Sequence, residues 1–144
     1  RVRGEGFEVT VIAGPLGDAV PPPPPPDSWA ARPEAEVAIW HIRLDPGARW
    51  ALPAASSADV GRVLYVFEGD TLRVADVEVG NDTGVGLAAD VAVELVAGSV
   101  EVEALVLQGR PIGEPVAQYG PFVMNTQAEI IQAMDDYRAG RFAA

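Results

Sequence analysis

Metal and nucleophile chemistry draws first on histidine and cysteine, and this sequence is poor in both: it has one histidine, His41, and no cysteine. A three-imidazole metal site cannot be built from one such chain, and thiolate ligands, thiol nucleophiles and disulfides are excluded outright. His41 lies in Glu36 to Leu44 (EVAIWHIRL), where Ala38, Trp40, Ile42 and Leu44 share one face and Val37, Ile39, His41 and Arg43 the other. The first set reads as core, so His41 is expected on the outer surface of a strand, partly exposed. Carboxylates are plentiful, but a hard-cation site needs several oxygens converging. Glu101 and Glu103, on one strand face, read as a solvated side. There is no Ser-His-Asp set beyond what His41 could join, no phosphate-cradling glycine loop after a strand, and no carboxylate pair spaced as acid and base. Taken alone, these residues assign no catalytic group and no metal.

The elements that would hold any site are strands. Phe7 to Ala13 (FEVTVIA) alternates, with Phe7, Val9 and Val11 opposite Glu8, Thr10 and Ile12, and Gly14-Pro15 closes it. Arg49 to Leu52 follows the Asp45-Pro46-Gly47-Ala48 turn, Gly61 to Gly69 enters a Glu68-Gly69-Asp70 turn, and Thr71 to Val79 is the expected return strand. Asn81-Asp82-Thr83-Gly84 reads as a turn, and Val91 to Val96 and Ser99 to Leu107 bring the set to at least seven short strands without a helix between them. That spacing predicts a sandwich or barrel. Six consecutive prolines, Pro21 to Pro26, lie within a Pro-rich loop over 18–33. They lack N–H donors and are expected to span roughly 19 Å as an extended connector; a docking peptide for a proline-binding module is the sharper alternative.

One helix is expected, over 126–139. Thr126 and Glu129 have the spacing of a capping box, Ile130, Met134 and Tyr137 recur at i, i+4 and i+7, and Gly140 suits the left-handed residue that ends a helix. An extended run containing Tyr119, Phe122 and Met124 precedes it.

At 144 residues the chain is expected to be one domain, 1–144, able to bury roughly two thirds of its unfolded surface. Ten basic against 21 acidic residues give a net charge of −11, which repels a phosphate backbone, so direct nucleic-acid binding is not expected. No apolar run approaches a membrane span and no signal pattern is present; with the lack of cysteine, the reading is a soluble cytoplasmic protein. The start at Arg1 reads as trimmed rather than native.

The run Gly120 to Thr126 (GPFVMNT), with the short acidic helix and the Asp136-Tyr137-Arg138-x-Gly140-Arg141-Phe142 tail, resembles the carboxy-terminal end of pirin-like proteins, which are built of two cupin domains. Val9 to Gly14 (VTVIAG) resembles the start of their second domain. The Pro46-Gly47-Ala48 turn resembles the approach to the first cupin motif, and Tyr65 to Gly69 (YVFEG) resembles the family's YVLEG hairpin. The resemblance runs from Val9 to Phe142 and is poorest over Pro21 to Pro26 and Asp70 to Gly86. It implies an all-β fold, a cupin-type double-stranded β-helix (jelly roll) with a C-terminal α-helix.

It also implies a site that can be checked. A metal-binding cupin holds its ion with two His and a Glu from the first motif and a His from the second. The family's spacing puts Ala55, Ser56, Ser57 and Ala58 where the two His belong, Arg62 at the Glu and Val93 at the third His. No metal and no cofactor are therefore expected in this chain. In pirin-like proteins the amino-terminal domain carries the iron site and, where shown, a quercetin-oxidising dioxygenase activity. The carboxy-terminal domain implied here is a non-catalytic, metal-free one that packs against a partner cupin domain or a second copy of itself. Tyr119, Phe122, Met124, Ile130, Met134 and Tyr137 are expected to close the barrel or form that contact. Two alternatives stand beside it: anion binding in the barrel, with Arg62 as anchor and Trp40, Trp50 and Tyr65 as lining, or service in a dioxygenase whose metal lies in another domain. Arg62 paired internally with an acidic neighbour competes with the anchor role.

Overall fold

The computed structural model describes residues 1–141; Phe142, which ends the tail motif, lies outside the described residues. Residues 1–111 form one compact unit and the chain from Ile112 a second. The first unit holds a six-stranded and a four-stranded antiparallel sheet. Its strands are β1 (Val2–Gly4), β2 (Phe7–Ala13), β3 (Ala38–Leu44), β4 (Arg49–Leu52), β5 (Gly61–Glu68), β6 (Thr71–Val74), β7 (Val77–Gly80), β8 (Thr83–Gly86), β9 (Val93–Ala97) and β10 (Val102–Gly109). Spatial order is β1-β2-β3-β10-β5-β8 in the larger sheet and β4-β9-β6-β7 in the smaller.

The alternation in the sequence decides which side of each strand is dry. Trp40, Ile42 and Leu44 of β3, Leu64 and Val66 of β5 and Val102, Ala104 and Val106 of β10 are buried, and meet Leu52, Leu72, Val74 and Leu95 of the smaller sheet in one core. Register keeps these stripes aligned, with Val106 opposite both Trp40 and Leu64. Each fully buried Leu or Ile is worth roughly 1.5–3 kcal/mol against exposure. Two antiparallel sheets sharing an apolar interior make a jelly roll, as expected.

Departures from the expected elements have local causes. Thr71 to Val79 is two strands rather than one, because Ala75 takes φ 52° and turns the chain before Asp76. The turn expected at Asn81 to Gly84 is confined to Asn81-Asp82, and Thr83 and Gly84 pair in β8 with Val66 and Tyr65. Ile12 is skipped where β2 meets β3, the register shifting between Val11 and Ala13. Pro21 to Pro26 connect β2 to β3, with Pro22 to Pro26 exposed. Their far end is tied by Ser28 N–H donating to the Pro25 carbonyl (3.0 Å) and by the Trp29 indole N–H donating to the Arg110 carbonyl (3.0 Å).

Gly69 shows what the β5–β6 turn demands. At φ 116° a β-carbon there would lie 2.9 Å from the Glu101 carbonyl oxygen and 2.8 Å from Val102 Cγ2, so only glycine fits.

The second unit contains the hairpin β11 (Ala117–Tyr119) and β12 (Phe122–Met124), then α1 (Gln127–Arg138). The extended run expected here is thus folded back at Gly120-Pro121. Thr126 Oγ1 accepts from Glu129 N–H while the Glu129 carboxylate accepts from Thr126 N–H, the expected capping box. The other end is a Schellman close: Gly140 at φ 69° donates its N–H to the Tyr137 carbonyl, and Arg141 donates to that of Asp136. No helix among the described residues is long and apolar enough to cross a membrane.

Candidate functional site

Arg62 and Gln108 each end an inward-facing apolar stripe with a polar group: Arg62 precedes Leu64 and Val66 on β5, and Gln108 follows Val102, Ala104 and Val106 on β10. The register sets these two side by side, Gln108 opposite Arg62. Arg62 is 3% exposed, the one buried charged side chain among the described residues. Its Nε donates to Gln108 Oε1 at 2.9 Å, its Nη2 donates to the same oxygen, and its Nη1 donates to the Pro53 carbonyl at 2.7 Å. Gln108 is oriented by its own amide, which donates to the Glu36 carbonyl at 3.0 Å. All of these acceptors are neutral. Burial pushes the Arg62 guanidinium below its ordinary value, and the nearby Glu36 carboxylate opposes that shift. The acidic pairing partner considered for Arg62 is therefore replaced by an amide and a carbonyl, with Glu36 near but not bonded to it.

Glu36 belongs to a second layer. Its carboxylate accepts from the Ser56 hydroxyl, from Ser56 N–H (3.1 Å) and from Arg110 Nη2 (3.0 Å), which together hold it below the usual carboxylate range, the Ser56 hydroxyl most of all. Arg110 also donates to Ser57 Oγ (3.2 Å) and to the Glu34 carbonyl (2.9 Å). Arg62, Gln108, Glu36 and Ser56, with Trp40 and Pro53, line a cleft of about 310 Å³.

Of the side chains expected to line a pocket around Arg62, Trp40 does line this cleft, and Trp50 and Tyr65 do not. Trp50 lines an adjoining cavity of about 530 Å³ with Val2 and Val20, and its ring lies 6.1 Å from that of Phe7. Leu16, Gly17 and Pro53 wall both spaces. Tyr65 is on the other face of β5, where its hydroxyl donates to Asp82 Oδ1 (3.2 Å), its ring stacks on Phe67 (6.3 Å), and Asp82 holds the phenol above its ordinary value. His41 is on the same outer surface, its Nε2 2.6 Å from Glu103 Oε2 and its ring 5.7 Å from Phe67.

A metal does not fit the residues present. Among the described residues no three His, Asp or Glu side chains come together to hold one. Ser56 and Ser57 are engaged by Glu36 and Arg110, and the buried cation of Arg62 would repel a metal beside it. In the second unit, Ile130 and Ala133 are buried, Met124 and Met134 are half-buried, and Phe122 meets Tyr137 edge-on at 6.0 Å, while Tyr119 is exposed.

Gln108, Pro53, Glu36 and Arg110 were not anticipated from the sequence. The legible signal was a polar residue at an inward position of β10; its partner follows only from the β5–β10 register.

The jelly roll with its cleft at one end of β5 and β10 defines a cupin. Residues 39–143 match the Pirin C-terminal cupin domain family, and the chain belongs to it. It is 35% identical over 140 residues to a Pseudomonas aeruginosa protein provisionally named quercetin 2,3-dioxygenase, covering 96% of this chain and 47% of that protein. It is 43% identical over 100 residues to a pirin-like protein of Caulobacter vibrioides, covering 64% of this chain and 35% of that one. The crystal structure of a quercetin 2,3-dioxygenase from Acinetobacter baumannii superposes with a TM-score of 0.77 at 28% identity, over 100% of this chain and 46% of that one. The chain thus spans less than half the length of these relatives.

Proposed function

We infer that this chain is a non-catalytic, metal-free cupin domain whose work is to pack against a partner cupin domain, as the carboxy-terminal half of a pirin-family protein. The observation that carries this reading is the surface of the second unit. Ile112, Val116, Tyr119, Val123 and Ile131 are each more than half exposed in a unit that begins at Ile112. Five large apolar side chains this exposed between Ile112 and Ile131 are what a segment covered by a partner would present. The relatives' greater length supports a domain as the occupant, ahead of a second copy. The naming of the Pseudomonas aeruginosa relative, provisionally, and of the Acinetobacter baumannii one as quercetin 2,3-dioxygenases supports a wider assembly that oxidises such a substrate, with its metal held outside this chain.

The test is sedimentation velocity with apolar-dye binding on the purified chain and on the Val123→Lys/Ile131→Glu variant. The expected outcome is dye binding or association by the native chain at micromolar concentration, reduced in the variant. A native chain that is monomeric and binds no dye would overturn the packing role. Quercetin turnover by the chain alone, abolished by chelation, would overturn its non-catalytic character.

A further inference from the structure

We propose that the Arg62 cleft binds a small monocarboxylate, through the two guanidinium N–H groups that have no acceptor among the described residues. This goes beyond the packing role and does not rest on it. A guanidinium has five donors. Three are used, one from Nε and one each from Nη1 and Nη2, to Gln108 Oε1 and the Pro53 carbonyl. The remaining two belong to a group that is 3% exposed, where bulk water is a poor substitute for an acceptor.

Charge permits an anion there. The lining carries one guanidinium, Arg62, and one carboxylate, Glu36, and that carboxylate is already bonded by Ser56 and by Arg110 behind it rather than by Arg62. No hydrogen-bonded carboxylate among the described residues neutralises Arg62, and a two-oxygen anion matches the fork of a guanidinium as a spherical one does not; a tetrahedral dianion offers the same edge but brings a second charge into a cleft that already holds Glu36. At about 310 Å³ the cleft lies at the small end of ligand sites, and Trp40, Pro53 and Leu16 give the ligand's carbon end an apolar wall. The net charge of −11 opposes every anion at long range, so the expected affinity is weak, about 1–10 mM.

The experiment is an NMR titration of the whole chain with sodium acetate, against sodium chloride and sodium sulfate at matched ionic strength. It follows the Arg62 Nε–H and the Gln108 side-chain amide. Saturable shifts of both with acetate, and only the small linear drift of a salt effect with chloride, are expected. Arg62→Met should abolish the saturable shift of Gln108. Should that variant fail to fold, Ala54→Tyr carries the test, because Ala54 is exposed at the cleft wall and a tyrosine there blocks entry without touching the Arg62 hydrogen bonds. Equal responses to acetate and chloride, an undiminished acetate response in Ala54→Tyr, or tighter binding of sulfate than of acetate would each overturn the proposal.

Discussion

Arg62 poses the sharpest question at the scale of single residues, since a buried charge held only by neutral groups divides its cost unevenly between the partners. Replacing the arginine by methionine removes the charge and leaves two neutral acceptors short of donors, a loss of about 1–2 kcal/mol. Replacing Gln108 by leucine strands the charge with one remaining acceptor, a loss of about 3 kcal/mol or more. Urea unfolding should therefore rank the native chain above Arg62→Met and Arg62→Met above Gln108→Leu. The reverse order would mean that the amide does not hold the guanidinium. The family's spacing singled out Arg62, at the position of the cupin Glu, but the same reading grouped it with Tyr65, three residues on. Three is an odd step on a strand, so the two side chains must point to opposite faces. Gln108 was out of reach of any local reading, because it meets Arg62 across 46 residues of chain.

Within elements, the contacts that fix turns and ends are the ones most open to measurement. Thr126→Ala removes the side-chain half of the capping box and should cost about 1 kcal/mol, read as lower helicity on heating. Gly69→Ala forces a β-carbon against the Glu101 carbonyl at a positive φ and should cost about 2–3 kcal/mol in urea unfolding. Two carboxylates tie loops together: Asp70 accepts from Ser99 Oγ (2.6 Å) and Thr71 N–H (2.6 Å), and Glu36 accepts from Ser56. Both are held below their ordinary values of 3.8 and 4.5, Asp70 chiefly by the Ser99 hydroxyl and Glu36 chiefly by that of Ser56. A carboxylate depressed in the folded state binds fewer protons folded than unfolded, so its contribution is complete above the ordinary value and is lost as pH falls through the folded one. Stability should accordingly decline below about pH 4.5 and decline less in the Glu36→Gln/Asp70→Asn variant, by urea midpoints at pH 6 and pH 3.5. An unchanged slope would show that neither loop tie is made. These elements were largely legible: β2 falls where alternation put it, β4 where the Asp45 to Ala48 turn put it, and the capping box was readable from its spacing. The split of Thr71 to Val79 was not, since Ala75 in the left-handed region carries no sequence mark of the kind glycine would give.

For the molecule as a whole, the net charge and the apolar surface make opposing demands, and salt separates them. Two copies carrying −11 each repel one another, whereas a partner domain of lower charge does not. If a second copy were the natural occupant of the second unit's surface, screening should promote it: the Debye length falls from about 10 Å at 0.1 M to about 3 Å at 1 M, and self-association would rise steeply over that range. With a different domain as occupant, the chain alone should stay monomeric at low salt, bind an apolar dye there, and gain only weak, polydisperse association as salt rises. Sedimentation velocity across that salt series tells the two apart. A discrete dimer that grows with salt and is lost in Val123→Lys/Ile131→Glu would assign the surface to self-association, and dye binding without a discrete dimer would assign it to another domain. The fold could be read at this scale because short alternating strands and the terminal motif both survive in one chain; the occupant could not, because it is not encoded in the residues that meet it.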